Sequence, residues 1–381
     1  MPAYLSDAQG RLNVRDVVFL LGAGASYNHG YPLVREFLSR QYLKWLCDQC
    51  AGLPAGFGDS SHALAEAEEF RKISENFEEV LSIAYETPAF YKRVLDYTFW
   101  LLSTAWDIVH SSDFMTTAEY FGLATLIFEL SQIGRCSVIT FNYDTAVEDA
   151  ASSLSRMLAA HGTPKEMLYF NYGLQQPVFN LLPEGMLNLT GSVLPDAYPN
   201  SGVPVLKLHG SVTMLGCAEC SAVYYMPMEA LSAQWAKFIS RVCKMCGENS
   251  LQPLIVPPGK RKKIPEVLDG LWGAAQEQLA STSAVIIAGY SMPEYDVEAR
   301  AMLRSGLRGK DVLLIDPAPN TSATDFLKND ARANLSILRQ TASAFLREEL
   351  NVFVPGLVER IAEQCAPQYL DRDRMEGHPR A

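Results

Sequence analysis

Residues 18–32 read "VFLLGAGASYNHGYP". An unbroken apolar run feeds directly into glycines. Such a run suits a strand buried on both faces of a parallel sheet. Strand, glycine loop and helix in succession form the usual phosphate-holding unit of α/β proteins. Gly22 and Gly24 let the backbone approach a phosphate, the helix that follows offers N–H groups, and Ser26 adds a hydroxyl donor. The spacing, however, is G-x-G-x-S, with the next glycine, Gly30, six residues after Gly24. That departs from the G-x-G-x-x-G of hydride-transfer dinucleotide folds.

The same strand character recurs along the chain. "CSVITFN" (136–142), "VPVLKLHG" (203–210), "SAVIIAGY" (283–290) and "DVLLIDP" (311–317) are apolar runs that stop at turn residues. Helical patterns lie between them at 32–49, 144–160 and 294–308. Alternating strands and helices predict an α/β fold with a doubly wound, parallel, Rossmann-like sheet. Two segments interrupt the alternation. Residues 62–133 read as a helical insertion, and residues 211–265 as a small cysteine-bearing lobe. Residues 162–202 are rich in glycine, proline and asparagine and read as a long irregular connection. Residues 340–364 read as helix, and the last residues as a frayed end.

With 381 residues, the chain holds one large domain with insertions or two to three smaller units. A 48% hydrophobic content suffices for a substantial core, and a net charge of −11 argues against nucleic acid as the partner. The basic run "GKRKK" (259–263) reads as a solvated loop. The polar N-terminus lacks the apolar core of a secretion signal, and no run of about 18 apolar residues appears. A cytoplasmic protein is expected.

Four of the eight cysteines form two C-x-x-C pairs, Cys217/Cys220 and Cys243/Cys246, separated by 22 residues. Two such knuckles can close a four-thiolate zinc site, with two disulfides as the alternative. Cys47 and Cys50 fall in a helical stretch and read as ordinary helix residues. Cys136 and Cys365 read as structural.

In a doubly wound sheet, ligands bind beyond the carboxyl ends of the strands. The strand ends carry Asn142 and Asp144 in "TFNYD", His209 in "KLHGS", Gly289 and Ser291 in "AGYS", and Asp316 in "LLIDP". His209 stands out because it follows a buried strand and precedes Gly-Ser. His29 lies in the glycine loop, where it can touch a ligand but is not expected to be catalytic. His62, His110, His161 and His378 lack comparable settings.

Taken in order, "GAGAS…GYPLVR", "TFNYD", "LHGS", "CAEC/CKMC", "GYS" and "IDP" resemble the sirtuin family, and specifically its divergent, defence-associated prokaryotic branch. The motifs run from about residue 16 to 346. The resemblance implies an NAD-binding domain over 1–346 that includes the helical insertion and a zinc lobe, followed by a C-terminal helix and tail at 347–381. It implies that Gly22, Ala23, Gly24 and Ser26 cradle the pyrophosphate and that Arg35 is the loop arginine. Asn142 and Asp144 are placed beside the nicotinamide ribose, with His209 as general base. Gly289 and Ser291 are placed at phosphate or adenosine ribose, and Asp316 at the adenine-side ribose. Cys217, Cys220, Cys243 and Cys246 would hold structural zinc far from the chemistry.

The departures from the family pattern bear on the reaction. The family's "PDFR" is "PLVR" here, with Leu33 and Val34 in place of the acid and the phenylalanine. The glutamine of "TQNID" is Phe141. Asp144 and His209 stand 65 positions apart, farther than in protein deacylases. "NFEEVLS" (76–82) looks like a segment of the defence-associated proteins. The expected function is an NAD glycohydrolase acting in anti-phage defence, gated by oligomerisation, a separate partner or a phage-derived trigger. The alternatives are an NAD-dependent protein deacylase and a catalytically silent NAD-sensing module.

Overall fold

The computed structural model describes residues 16–27, 31–50, 60–111, 123–124, 127, 135–148, 150–151, 170–172, 174, 178–180, 203–225, 242–256, 264–342 and 344–345. His29, the basic run 259–263, Cys365 and most of 152–202 lie outside them.

The larger sheet grows from the opening stretch. Strand β1 (Asp16–Leu21) is buried from Val17 to Leu21, as an apolar run without alternation requires in a sheet covered on both faces. It pairs in parallel with β2 (Arg135–Thr140) on one side, Val17 opposite Cys136 and Leu21 opposite Thr140. On the other side it pairs with β9 (Ala284–Ala288), again in parallel. Seven parallel strands stand in the order β11-β10-β9-β1-β2-β5-β3. The outer ones are β3 (Phe170–Asn171), β5 (Val203–Lys207), β10 (Asp311–Ile315) and β11 (Asn334–Leu338). The doubly wound sheet is thus present. The chain works outward from β1 through β2, β3 and β5, then crosses back to β9. This reversal places a switch point, and hence a crevice, at the carboxyl ends of β1, β2 and β9.

Two strands of this sheet went unread in the sequence. Strand β3 spans two residues, and β11 is partly exposed along its length. The helix expected over 32–49 also differs. A 3₁₀ turn at Val34–Glu36 precedes helix α2, which begins at Arg40.

A second, four-stranded sheet has the order β4-β7-β6-β8. It joins β4 (Val178–Asn180), β6 (Gly210–Cys217), β7 (Val223–Tyr225) and β8 (Leu251–Ile255). β4 comes from the long connection, so this lobe draws on more chain than 211–265. The helical insertion supplies α3 (Ser60–Ile73), α4 (Phe77–Ala84) and α5 (Pro88–Ser111). Phe70, Phe77, Val80 and Phe99 from these helices share one apolar core with Leu215, Cys217 and Tyr224 of the sheet and Cys243 of the loop before β8. Insertion and cysteine lobe are therefore a single packed unit. Helices α6 (Glu266–Ser281) and α7 (Val297–Gly306) belong with the large sheet. No helix among the described residues is long and apolar enough to cross a membrane.

The loops after β1 and β9 approach too closely for side chains. A Cβ on Gly289, whose φ is +66°, would lie 2.0 Å from the Ala25 nitrogen, and one on Gly22 would lie 2.6 Å from the Gly289 oxygen. Gly289→Ala is expected to cost about 3 kcal/mol or more in urea unfolding, from left-handed strain and overlap together. Gly273→Ala, at an open position of α6, is the control and should stabilise by about 0.5–1 kcal/mol.

Candidate functional site

A cleft of about 910 Å³ opens at the switch point, within the roughly 300–1,000 Å³ range of small-molecule sites. Ala23, Gly24, Ser26, Arg35, Asn142, Asp144, His209, Gly289, Ser291 and Asp316 all line it. The structure thus brings together residues from five strand ends and the arginine turn. Gly22 is not on the wall. It sits behind, where its N–H bonds the Ala288 carbonyl at 3.0 Å.

The glycine loop offers fewer donors than its sequence promised. The helix after it, α1 (Ala23–Ser26), is a single turn. The Gly24 N–H donates to the Gly289 carbonyl at 2.9 Å and the Ala25 N–H to the Gly22 carbonyl at 2.8 Å. Ser26 was expected to donate its hydroxyl to a phosphate. That hydroxyl instead donates to Asp144 Oδ2 at 2.6 Å. The reason is local: Ser26 and Asp144 are both buried, and a buried carboxylate takes the nearest donor.

A polar network forms the cleft floor. Asn142 Nδ2 donates to the Gly22 carbonyl at 3.1 Å and to Ser26 Oγ at 2.9 Å. Both of its N–H groups are then engaged. Its Oδ1 is buried and accepts nothing from the described residues. Asp144 Oδ1 accepts the Ala146 N–H at 3.0 Å, so both Asp144 oxygens hold protein donors. Asp144 therefore braces the network, and Asn142 presents the open acceptor.

The loop carrying Asn142 is anchored on both sides. Phe141 packs into the core of the large sheet and Tyr143 into that of the smaller lobe. The Phe141 ring stacks on Tyr290 at 4.3 Å and lies 5.2 Å from His209. Tyr143 also stacks on His209 at 6.0 Å, and its hydroxyl donates to the Val256 carbonyl at 2.6 Å. Burial pushes the Tyr143 phenol well above its ordinary range, so it stays neutral. His209, 4% exposed, projects from a turn that only glycine can follow. Gly210 has φ +75°, and a Cβ there would meet the Leu254 oxygen at 1.9 Å.

The remaining residues ring the mouth. Arg35 is exposed on the 3₁₀ turn beside Leu33 and Val34. Asp316 Oδ1 accepts the Ala318 N–H at 2.8 Å, which orders the loop after β10. One wall was not foreseen: Glu75, Asn76, Phe77 and Glu78, at the start of α4. Asn76 caps that helix by accepting the Glu78 N–H at 2.9 Å. The only sequence signal was "NFEEVLS", read for its resemblance and not for its position. Tyr295 and Asp296, after β9, also line the cleft, and burial together with the Glu78 carboxylate pushes the Tyr295 phenol up.

The cysteine pairs do converge. All four thiol sulfurs lie within 4.8 Å of one another. Cys217–Cys246 and Cys220–Cys243 are each 3.6 Å apart. Disulfide sulfurs stand about 2.05 Å apart, whereas a tetrahedron of Zn–S bonds of about 2.3 Å has edges of about 3.8 Å. The donor set fits zinc. Burial raises the Cys217 thiol, but the Ser250 hydroxyl and the Cys220 and Glu219 N–H groups outweigh it and draw the thiol down to about 6. With four protein ligands no position stays open, so the metal's role is structural.

No family model matches the chain, and no curated protein does. Among solved structures it is similar to a sirtuin determined to explain substrate affinity, at 17% identity over 89% of this chain and 95% of that one, TM-score 0.45. It is similar to a Sir2 homologue mutant in complex with 2′-O-acetyl ADP-ribose, at 18% identity over 97% and 99%, TM-score 0.44. It is similar also to a Sir2 complex with a p53 peptide and NAD+, at 16% identity over 90% and 94%, TM-score 0.43. The likeness is one of fold, and the site is read from its own side chains.

Two outcomes follow from this geometry. Ser26→Ala leaves Asn142 and Asp144 each short of a partner and should cost about 1–3 kcal/mol in denaturant unfolding. Elemental analysis should find one zinc per chain, lost in Cys217→Ser together with several kcal/mol of stability, or roughly 5–10 °C in Tm.

Proposed function

We propose that this protein hydrolyses NAD at the bond between nicotinamide and ribose, giving nicotinamide and ADP-ribose. The observation that carries the reading is Asn142 Oδ1, an open acceptor buried on the cleft wall while both N–H groups of the same amide are engaged. It calls for a donor. Ribose hydroxyls and a water nucleophile are donors, and phosphate oxygens are not. His209 lines the same cleft, and histidine is the side chain most often used as a general base.

The division of labour follows. Nicotinamide is cationic while attached and leaves neutral with the bonding pair, so no acid has to assist its departure. The chain's work is orientation and removal of one proton from water. Asn142 would orient the water or the ribose hydroxyl. His209 would take the proton, directly or through the ribose. Ser26 and Asp144 hold Asn142 in place. Arg35 and the backbone of Ala23 and Gly289 would hold the pyrophosphate, with Gly24 leaving room for its approach, Ser291 beside it and Asp316 at the adenine-side ribose.

Three features support water over an acyl chain as the nucleophile. Phe141 fills its position with a ring stacked on Tyr290. Leu33 and Val34 present no carboxylate or aromatic ring to the cleft, and Glu75 and Glu78 add carboxylates to its wall at the start of α4. NAD hydrolysis in a living cell depletes an essential cofactor. Activity is therefore expected to wait on self-association or on a partner, as a defence effector triggered by infection would require.

The test is purified protein with NAD alone. Nicotinamide release without any acyl peptide is the expected result, and strict dependence on an acyl peptide would overturn the reading in favour of a deacylase. NAD binding without turnover would leave a sensing module. Asn142→Ala and His209→Ala should each lower the rate by roughly 10²–10⁴-fold, with circular dichroism unchanged.

A further inference from the structure

We infer that Lys207, through its bond to the Asp144 carbonyl, is a positioning residue for the Asn142–Asp144 loop, with Glu148 balancing its buried charge; the inference rests on reading this cleft as the site of NAD cleavage. Lys207 lies on β5 within the parallel sheet, its side chain 3% exposed. Its Nζ stands 2.9 Å from Glu148 Oε1, itself on a side chain 9% exposed. Tyr172 donates to the same oxygen at 3.4 Å. The Lys207 ammonium also donates to the backbone carbonyl of Asp144.

A charged pair inside a sheet is costly, and an apolar pair of similar volume is often as stable or more so. The fold alone gives no reason for a lysine at this position. The reason lies in what the ammonium holds. Asp144, fixed through its carbonyl, uses its carboxylate to hold Ser26 Oγ and the Ala146 N–H. Ser26 Oγ in turn accepts from Asn142 Nδ2. The direction of the open Asn142 Oδ1 is thus the last link of a chain that starts at Lys207. His209 follows two residues later on the same segment, so one stretch of backbone sets both the base and the acceptor. Glu148 closes the ring, because it stands on the helical turn that begins just after Asp144. Lys207 does not line the cleft and acts only through this chain.

Removing one charge strands the other, so Lys207→Met alone is not informative. The double variant K207M/E148L removes both charges at similar volume and should melt close to wild type. Two readouts then decide. Hydrogen exchange over residues 141–147, measured without NAD, should be at least about tenfold faster than in wild type. The kcat for nicotinamide release should fall roughly 10–100-fold with KM for NAD nearly unchanged. A folded double variant with wild-type exchange and kcat overturns the inference. If wild type releases no nicotinamide, the functional reading fails, while the exchange measurement still decides whether Lys207 positions the loop. If the double variant does not fold, Glu148→Gln decides. It keeps the Lys207–Asp144 bond and should retain kcat near wild type, and a folded E148Q protein with a large kcat loss overturns the inference.

Discussion

The molecule turns on the anchoring of four residues, Phe141 to Asp144, between two hydrophobic cores. Phe141 belongs to the core of the large sheet and Tyr143 to that of the smaller lobe. Asn142 and Asp144, which alternate with them, line the cleft alongside both aromatic rings. Two buried aromatics at i and i+2 fix the backbone that carries the polar residues between and after them. The cleft exists because the two cores meet at this loop and leave its polar face uncovered. A loop embedded on both flanks loses little entropy when a ligand arrives, which is what preorganisation requires.

The same anchoring imposes strict hydrogen-bond economy. Ser26, Asn142 and Asp144 are buried, and buried polar groups find partners. They find them in one another: hydroxyl to carboxylate, amide to hydroxyl, amide to carbonyl. The N–H groups of Gly22, Gly24 and Ala25 are likewise engaged, the first two closing the approach of the β1 and β9 loops. Donors are consumed internally, and an acceptor is left over. This reverses the usual expectation for a glycine-rich loop, which is read as a supply of donors. In this cleft Arg35 is the arginine on the rim, and the floor presents an acceptor without a donor.

How much of this was legible in the sequence follows from what burial does to composition. β1, β2, β5, β9 and β10 read clearly because both faces are covered and the runs are continuously apolar. β11, "NLSIL", is half-exposed and carries polar residues, so it gives neither a solid run nor a clean alternation. The strand-end residues were legible because only chemistry or turn geometry places Asn, Asp and His after such runs. Their individual roles were not, because the choice between facing a ligand and facing a neighbour is made by tertiary contacts. Ser26 and Gly22 are the examples, both turned toward the protein. The α4 wall and Lys207 were missed for a related reason. Glu78 sits far away in the chain, and a lysine in a strand reads as solvated unless its buried partner is known.

The cysteine lobe shows how remote parts come to share a site. By spacing it is an independent knuckle, and its zinc a distant staple. In the structure, β6 starts at Gly210, next to His209, and ends at Cys217. One strand, roughly 23 Å long at about 3.3 Å per residue, connects the candidate base to the first metal ligand. It pairs with β8 at both ends, Gly210 opposite Ile255 and Cys217 opposite Leu251, with an irregularity between; β8 leads to Val256, whose N–H donates to the His209 carbonyl at 2.8 Å. Cys217 and Cys243 are buried in the same core as Tyr143. Closing the thiolate tetrahedron therefore fixes one end of a rigid ladder whose other end holds the histidine turn. A metal that touches no substrate can still decide whether the cleft floor is ordered.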